Sequence, residues 1–271
     1  MRAFPVACAA LAVLAAPPKE RRVVFNAPVS TLTAMPGERV TLQALDQTRT
    51  WTAPLTPGLY PISVVSNDGR DSIRIQAFVL VPSSRMKGEY LNGYRIGRYP
   101  DHALRGLAIY RPPVGFLEVT RENENTFVSP HFQLKQFICK QSGSYPKYIV
   151  LNEGLVQRLE QLLALANASG YHASTFHVMS GYRTPAYNRS LGNVAYSRHT
   201  FGSAADIFLD ENGDGRMDDL NRDGRSDAAD AAVLYRLFDE TQGAGGMGKY
   251  EATRAHGPFV HVDLRDRRAR W

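Results

Sequence analysis

Cysteine is nearly absent from this chain of 271 residues; it occurs only at Cys8 and Cys139. Cys8 falls in an apolar N-terminal run, so Cys139 stands alone in the remainder and a structural disulfide there is excluded. Pro5 occupies the place where a lipid-attachment signal would carry leucine, so Cys8 is not read as a lipidation site. Long hydrophobic runs are missing too, apart from Ala3 to Ala16. That run is too short for a bilayer of roughly 20 residues' depth and turns polar at Pro17-Pro18-Lys19-Glu20-Arg21-Arg22. It reads as a secretory signal over residues 1–18, which implies export, to the periplasm or the medium, and no membrane span. Acidic residues are scarce except in one place. Between Asp206 and Asp230 there are nine of them against three arginines, and the net charge of +6 reflects a strongly basic remainder. No nucleic-acid recognition motif accompanies that basic surface. Wall polymers are the expected polyanionic partners rather than nucleic acid, and nothing fixes an oligomeric state.

What is present divides the chain. Residues 19–85 hold short runs rich in β-branched and aromatic residues, such as Arg39 to Leu45 and Ser72 to Val81, punctuated by Pro36-Gly37, Pro57-Gly58 and Asn67-Asp68-Gly69. This pattern predicts a small β-sandwich or barrel. Residues 86–126 form a glycine- and tyrosine-rich connecting region without a clear period. In the remainder, 127–271, Leu155, Leu159, Leu162, Leu163 and Ala166 follow helical spacing, with Asn152 and Glu153 suiting the first turn and Gly170 just past the end. Three short strands are expected at His177 to Met179, Ala204 to Leu209 and Phe259 to Leu264. The fold class is therefore α+β: a small antiparallel sheet with flanking helices, preceded by an all-β domain.

Metal hydrolysis needs three protein ligands and an open position for water. His199 and Asp206 lie seven residues apart, with Gly202, Ala204 and Ala205 between them allowing a tight approach to a strand. His261 alternates with valines in Val260-His261-Val262-Asp263, which puts His261 and Asp263 on one strand face. If the Asp206 and His261 strands pair, both side chains reach a common ion. The surrounding residues are more specific. Ser180-Gly181-Tyr182-Arg183-Thr184, Ser197-x-His199-x-x-Gly202-x-Ala204-x-Asp206 and Phe259-Val260-His261-x-Asp263 resemble the D-alanyl-D-alanine metallocarboxypeptidases and murein endopeptidases of the lysostaphin-like zinc peptidases. Ser129-Pro130-His131-Phe132, Gly245-Gly246-Met247-Gly248 and the closing Trp271 extend the resemblance over residues 127–271.

The resemblance implies zinc on His199, Asp206 and His261, with Arg183 binding a substrate carboxylate or the oxyanion. Many relatives carry an acid three positions before the last histidine, where this chain has Pro258. Asp263 and His256 are the substitutes for general base or proton donor, Asp263 being equally suited to orienting a histidine. The implied substrate is a peptidoglycan peptide, and the resemblance favours the periplasm over the medium. The alternative is a wall-binding protein that keeps the zinc fold without catalysis, and a calcium-dependent adhesion module would leave the histidines unexplained.

Residues 210–230 follow the oxygen-ligand spacing of calcium loops. Asp219, Asn221, Asp223, Asp227 and Asp230, with Gly224 at the sharp turn, make one copy; Asp210, Asn212, Asp214 and Asp218, with Gly215, make an overlapping earlier one. The segment resembles the calcium loops of dockerins, so calcium is expected as a second ion.

Overall fold

The computed structural model describes residues 21–241 and 243–271. The expected signal segment, 1–18, lies outside the described residues. The strands and helices, in order, are β1 (Arg21–Phe25), β2 (Val29–Ala34), β3 (Arg39–Ala44), β4 (Gln47–Thr52), β5 (Gly58–Val65), β6 (Ser72–Val79), β7 (Val81–Pro82), β8 (Tyr90–Leu91), β9 (Tyr94–Arg95), β10 (Gly115–Val119), β11 (Lys147–Ile149), α1 (Glu153–Ala168), β12 (His177–Ser180), α2 (Pro185–Ser190), β13 (Ala204–Phe208), α3 (Ala228–Thr241), β14 (Gly245–Tyr250), β15 (Phe259–Asp263) and β16 (Arg268–Arg270). The content is α+β, and among the described residues no helix is long and apolar enough to cross a membrane.

Two three-stranded sheets, β1-β3-β4 and β2-β6-β5, begin the described chain. Phe25, Leu32, Val40, Leu42, Ile73 and Ile75 from both sheets share one core, which makes this part a sandwich. Alternation along β6 explains why it does not stand apart. Ile73, Ile75, Ala77 and Val79 enter the sandwich core, while Phe78 joins the larger core of the second half. Thr31 Oγ1 donates to the Val128 carbonyl (2.7 Å), and Thr33 donates through its backbone N and its Oγ1 to the Glu153 carboxylate (2.8 and 3.0 Å).

The region expected as a connector is built into the fold. It supplies the β8-β9 hairpin and β10, which pairs with β7 on one side and with β11 on the other. A strand at 115–119 bonded to one at 147–149 leaves no free linker between the halves. Its signal was weak because β10 is short and buried on both faces, so it lacks the alternation that marks a strand.

The sheet that carries the site has the order β12-β13-β15-β14-β16. It is antiparallel except for the parallel β14–β16 pair, so it is mixed rather than wholly antiparallel. α1 and α3 pack on one face, where Leu159, Leu162, Leu234 and Phe238 meet Ile207, Val260 and Val262 in the main core. α1 begins where expected, with the Asn152 side chain accepting from Gly154 N (2.9 Å). That packing leaves the opposite face of β13 and β15 for chemistry.

Candidate metal centre

Strand pairing decides the geometry. Asp206 on β13 stands directly opposite His261 on β15, and the same cross-strand row runs from Ser180 on β12 to Gly248 on β14. Side chains of directly paired residues share a face. His199 arrives from a single 3-10 turn, Arg198–Phe201, that ends at Gly202, two residues before β13 begins. Gly202 has φ of +63°, and a Cβ there would lie 2.2 Å from the Val150 carbonyl oxygen, so both the turn and the close approach require glycine.

Three donor atoms converge. His199 Nε2 lies 3.3 Å from His261 Nδ1 and 3.3 Å from Asp206 Oδ1, and His261 Nδ1 lies 2.8 Å from Asp206 Oδ1. Among the described residues, this is the group of three whose ligand atoms gather closely enough to hold a metal ion. Four-coordinate zinc with bonds of about 2.0–2.1 Å sets its ligand atoms roughly 3.3 Å apart, and two of the three separations match that tetrahedral edge. The far ring nitrogens support the same use. His199 Nδ1 donates to the Gly181 carbonyl (2.8 Å), which leaves the Nε2 lone pair pointing at the other donors. His261 Nε2 is 3.3 Å from Asp263 Oδ2, which leaves Nδ1 for the ion.

The electrostatics agree with a cation at the centre. Burial keeps the His199 imidazole neutral, aided by the Arg183 charge, and its pKa falls below the ordinary histidine value against the pull of Asp206. Burial alone would raise the Asp206 carboxyl, but His199 and His261 hold it far below the usual carboxylate range. Burial would likewise lower His261, yet hydrogen bonds to Asp206 and Asp263 outweigh it and raise its pKa. An imidazole held between two carboxylates must lose a proton to bind a metal, so metal affinity weakens as the pH falls through that raised value.

Arg183 also reaches the triad. Its Nη2 donates to Asp206 Oδ2 and its Nε donates to Ser180 Oγ (2.7 Å). Ser180-Gly181-Tyr182-Arg183 thus works as one unit. Ser180 steadies the guanidinium, Gly181 orients His199, and the buried Tyr182 anchors the turn by pairing its hydroxyl with that of Tyr99 (2.9 Å).

Neither candidate base faces the three donors. Asp263 sits behind His261, on the ring nitrogen remote from the ion. Its Oδ1 accepts from Gly246 N (3.0 Å) and Arg265 N (2.9 Å), and its Oδ2 accepts from Arg265 Nη2 (2.6 Å). Arg198 Nε stands 3.5 Å from Oδ1. Burial would raise this carboxyl, but His261 and Arg265 keep it far below the usual range. An ionised carboxylate with its oxygens so committed suits the other role considered for Asp263, orienting His261, better than that of a base. His256 is held by its own loop, with Nδ1 2.8 Å from the Gly257 carbonyl and its ring 5.1 Å from Phe259, and it lines a neighbouring cavity rather than the triad. Replacement of Asp263 by asparagine should weaken metal binding and turnover together by about 10–100-fold. Chelator competition checks this, since a true base would lose turnover with metal affinity intact.

Sequence reasoning also left the glycines of Gly245-Gly246-Met247-Gly248 without a role. A Cβ on Gly246 would fall 2.4 Å from Asp263 Oδ2, and one on Gly248 would fall 2.4 Å from Trp271 Nε1. These glycines make room on the site face for the Asp263–Arg265 pair and for the Trp271 indole. That indole lies 5.5 Å from the His261 ring, with the Arg265 guanidinium 4.5 Å from an indole ring centre.

The acidic insertion folds as two copies of one turn. Asp210 and Asn212 accept from Asp214 N (3.0 and 2.9 Å) as Asp219 and Asn221 accept from Asp223 N (3.1 and 2.9 Å). Asp214 and Asp223 each accept from the backbone N two residues on. Met217 and Leu220 anchor the segment in the main core. Burial and the carboxylates of Glu211, Asp210 and Asp214 push the Asp218 carboxyl up. Asp230, expected as a terminal calcium ligand, is buried in the first turn of α3, where it accepts from Leu220 N, Asn221 N and Asp227 N (2.7, 3.1 and 2.8 Å). Among the described residues, no three of the expected calcium carboxylates gather as the histidine site does, so carboxylate convergence gives the calcium expectation no support.

Residues 130–237 match the family model described as Peptidase M15. This M15-like segment spans less than half the chain and carries Arg183, His199 and Asp206, while His261 and Asp263 lie beyond it. It supports a metallopeptidase of the D-Ala-D-Ala carboxypeptidase-like group. No curated protein matches the chain.

Proposed function

We propose that the protein is an exported zinc peptidase that hydrolyses peptidoglycan stem peptides or cross-links, working in the periplasm. The carrying observation is the convergence of His199 Nε2, Asp206 Oδ1 and His261 Nδ1, with both far imidazole nitrogens occupied by second partners. The M15 match over 130–237 adds the peptidase class and, through it, the wall substrate.

Zinc bound by these residues would lower the pKa of a coordinated water to about 7 and polarise the scissile carbonyl. The chain's own side chains do the rest. Gly181 and Asp263 hold the two rings so that one nitrogen of each faces the other donors. Arg183 spends Nη2 on Asp206 and Nε on Ser180, and its remaining Nη1 has no protein hydrogen bond among the described residues. That nitrogen is suited to a substrate carboxylate or to charge developing on the carbonyl oxygen, where the guanidinium fork is worth most.

Incubation of the zinc-loaded protein with purified sacculi tests the reading. Muropeptide release that stops with chelator and returns with zinc is the expected result. A second reading, wall binding without cleavage, draws on the position of Asp263 behind His261 and on Pro258 in the place of an acid. Cosedimentation with sacculi and no released fragment at any zinc concentration would favour it.

A further inference from the structure

Beside the metal centre opens a cavity of about 560 Å³, which the triad does not explain. It lies between the edge strand β12, the segment 252–258 and the acidic insertion, with Lys140, His177, Met179, Arg216 and His256 in its lining. Its size falls within the range of about 300–1,000 Å³ typical of small-ligand sites.

Two features join this cavity to the triad. The register of β12 on β13 slips between Val178 and Ser180, a bulge of the kind that re-aims side chains beside functional sites. Met179 lines the cavity while its neighbour Ser180 holds Arg183 against Asp206. Lys140, an exposed residue, is the second link. It lines the cavity with its ammonium partly desolvated, which together with the Arg183 charge lowers its pKa while Asp206 raises it.

The walls are firm and their charge has one sign. The His177 ring stacks on Phe208 at 4.4 Å and 11°, and its Nδ1 is 3.4 Å from Asp210. Gly215, Arg216 and Met217 form the outer wall, fixed by the burial of Met217 in the core. Asp214 turns to the backbone N of Arg216, and Asp210 to the backbone N atoms of Asp214 and Gly215. The ionic side chains that line the cavity are Lys140 and Arg216, and none of its lining residues is acidic.

We propose that this cavity receives the carboxylate-bearing end of the substrate peptide, with Lys140 as its anion anchor and the acidic insertion as its outer wall. The proposal rests on the peptidase reading and adds to it that the leaving portion lies on the β12 side of the metal. It also gives the insertion a task that needs no second ion.

The test reads binding without turnover. A ketomethylene isostere of D-alanyl-D-alanine, ending either in a free carboxylate or in an amide, is titrated calorimetrically into the zinc-loaded full chain. Release of D-alanine from the ordinary peptide is followed separately and judges the peptidase reading alone. The carboxylate probe should bind the unaltered protein about 10–100-fold more tightly than the amide, as expected for a charged hydrogen bond. Lys140→Gln should abolish that preference and Lys140→Arg should restore it, a ratio that a purely structural role for Lys140 would not move. Equal affinity for the two probes, no binding of either, or a preference that survives Lys140→Gln overturns the proposal.

Discussion

Substitution of His199 by alanine is expected to remove the bound metal and to reduce muropeptide release on the order of a thousand-fold or more. Metal coordination contributes several kcal/mol of transition-state stabilisation, and about 1.4 kcal/mol corresponds to each decade of rate. The residue holds one corner of a donor triangle with 3.3 Å to each partner, and nothing else among the described residues can take its place. Metal content by atomic absorption should fall from one equivalent to none, while circular dichroism confirms that the fold persists. His199 is nearly fully buried, so the substitution also removes the Nδ1 bond to Gly181, and His199→Gln serves as a second variant that keeps the volume. Undiminished release by either folded variant would sink the mechanism.

The second large effect is one of stability. Gly202→Ala should destabilise the protein by about 2–5 kcal/mol, combining the left-handed backbone penalty with overpacking against a rigid neighbour. The neighbour is the backbone of Val150, whose carbonyl oxygen would stand 2.2 Å from the new Cβ and which has no rotamer to yield. The damage should spread in two directions. Gly202 N donates to His199 O (3.2 Å), and Gly202 O accepts from Asn152 N (3.1 Å) at the start of α1. Thermal melting should therefore drop by roughly 5–15 °C, at about 2–4 °C per kcal/mol for a chain of this size. Zinc affinity should fall with it because the His199 turn shifts. Gly213→Ala provides the comparison. It shares a positive φ of +74° but meets nothing within 4 Å, so it should cost only about 1–2 kcal/mol. Equal melting temperatures for the two variants would show that the close approach to Val150 carries no weight.

Much of the site could be read along the chain because its parts are local. The spacing from His199 through Gly202 to Asp206 is a short turn leading into a strand, and alternation around His261 placed it opposite the flanking valines. The α1 pattern and its Asn152 cap were likewise complete within a single stretch. Other parts of the reading turned on contacts distant in sequence. Asp263 lies two residues from His261 and looked like a base, but Arg265, Arg198 and the amide of Gly246 determine what its oxygens do. The spacing of the acidic insertion resembled a calcium loop, yet spacing alone does not reveal that Asp230 is buried at the head of α3.

The residue types and spacings of the chain by themselves determined which side chains were able to serve a metal and that an α+β framework would carry them. Backbone pairing and burial are properties of the folded whole. They alone decided that Asp206 and His261 face one another across two strands, that residues 115–119 of the expected connector form the middle strand of a sheet, and that a cationic hollow opens beside the triad. The physical reason is range: turn chemistry and alternation act over a few residues, whereas the direction in which a carboxylate spends its lone pairs depends on whichever donors tertiary packing brings to it.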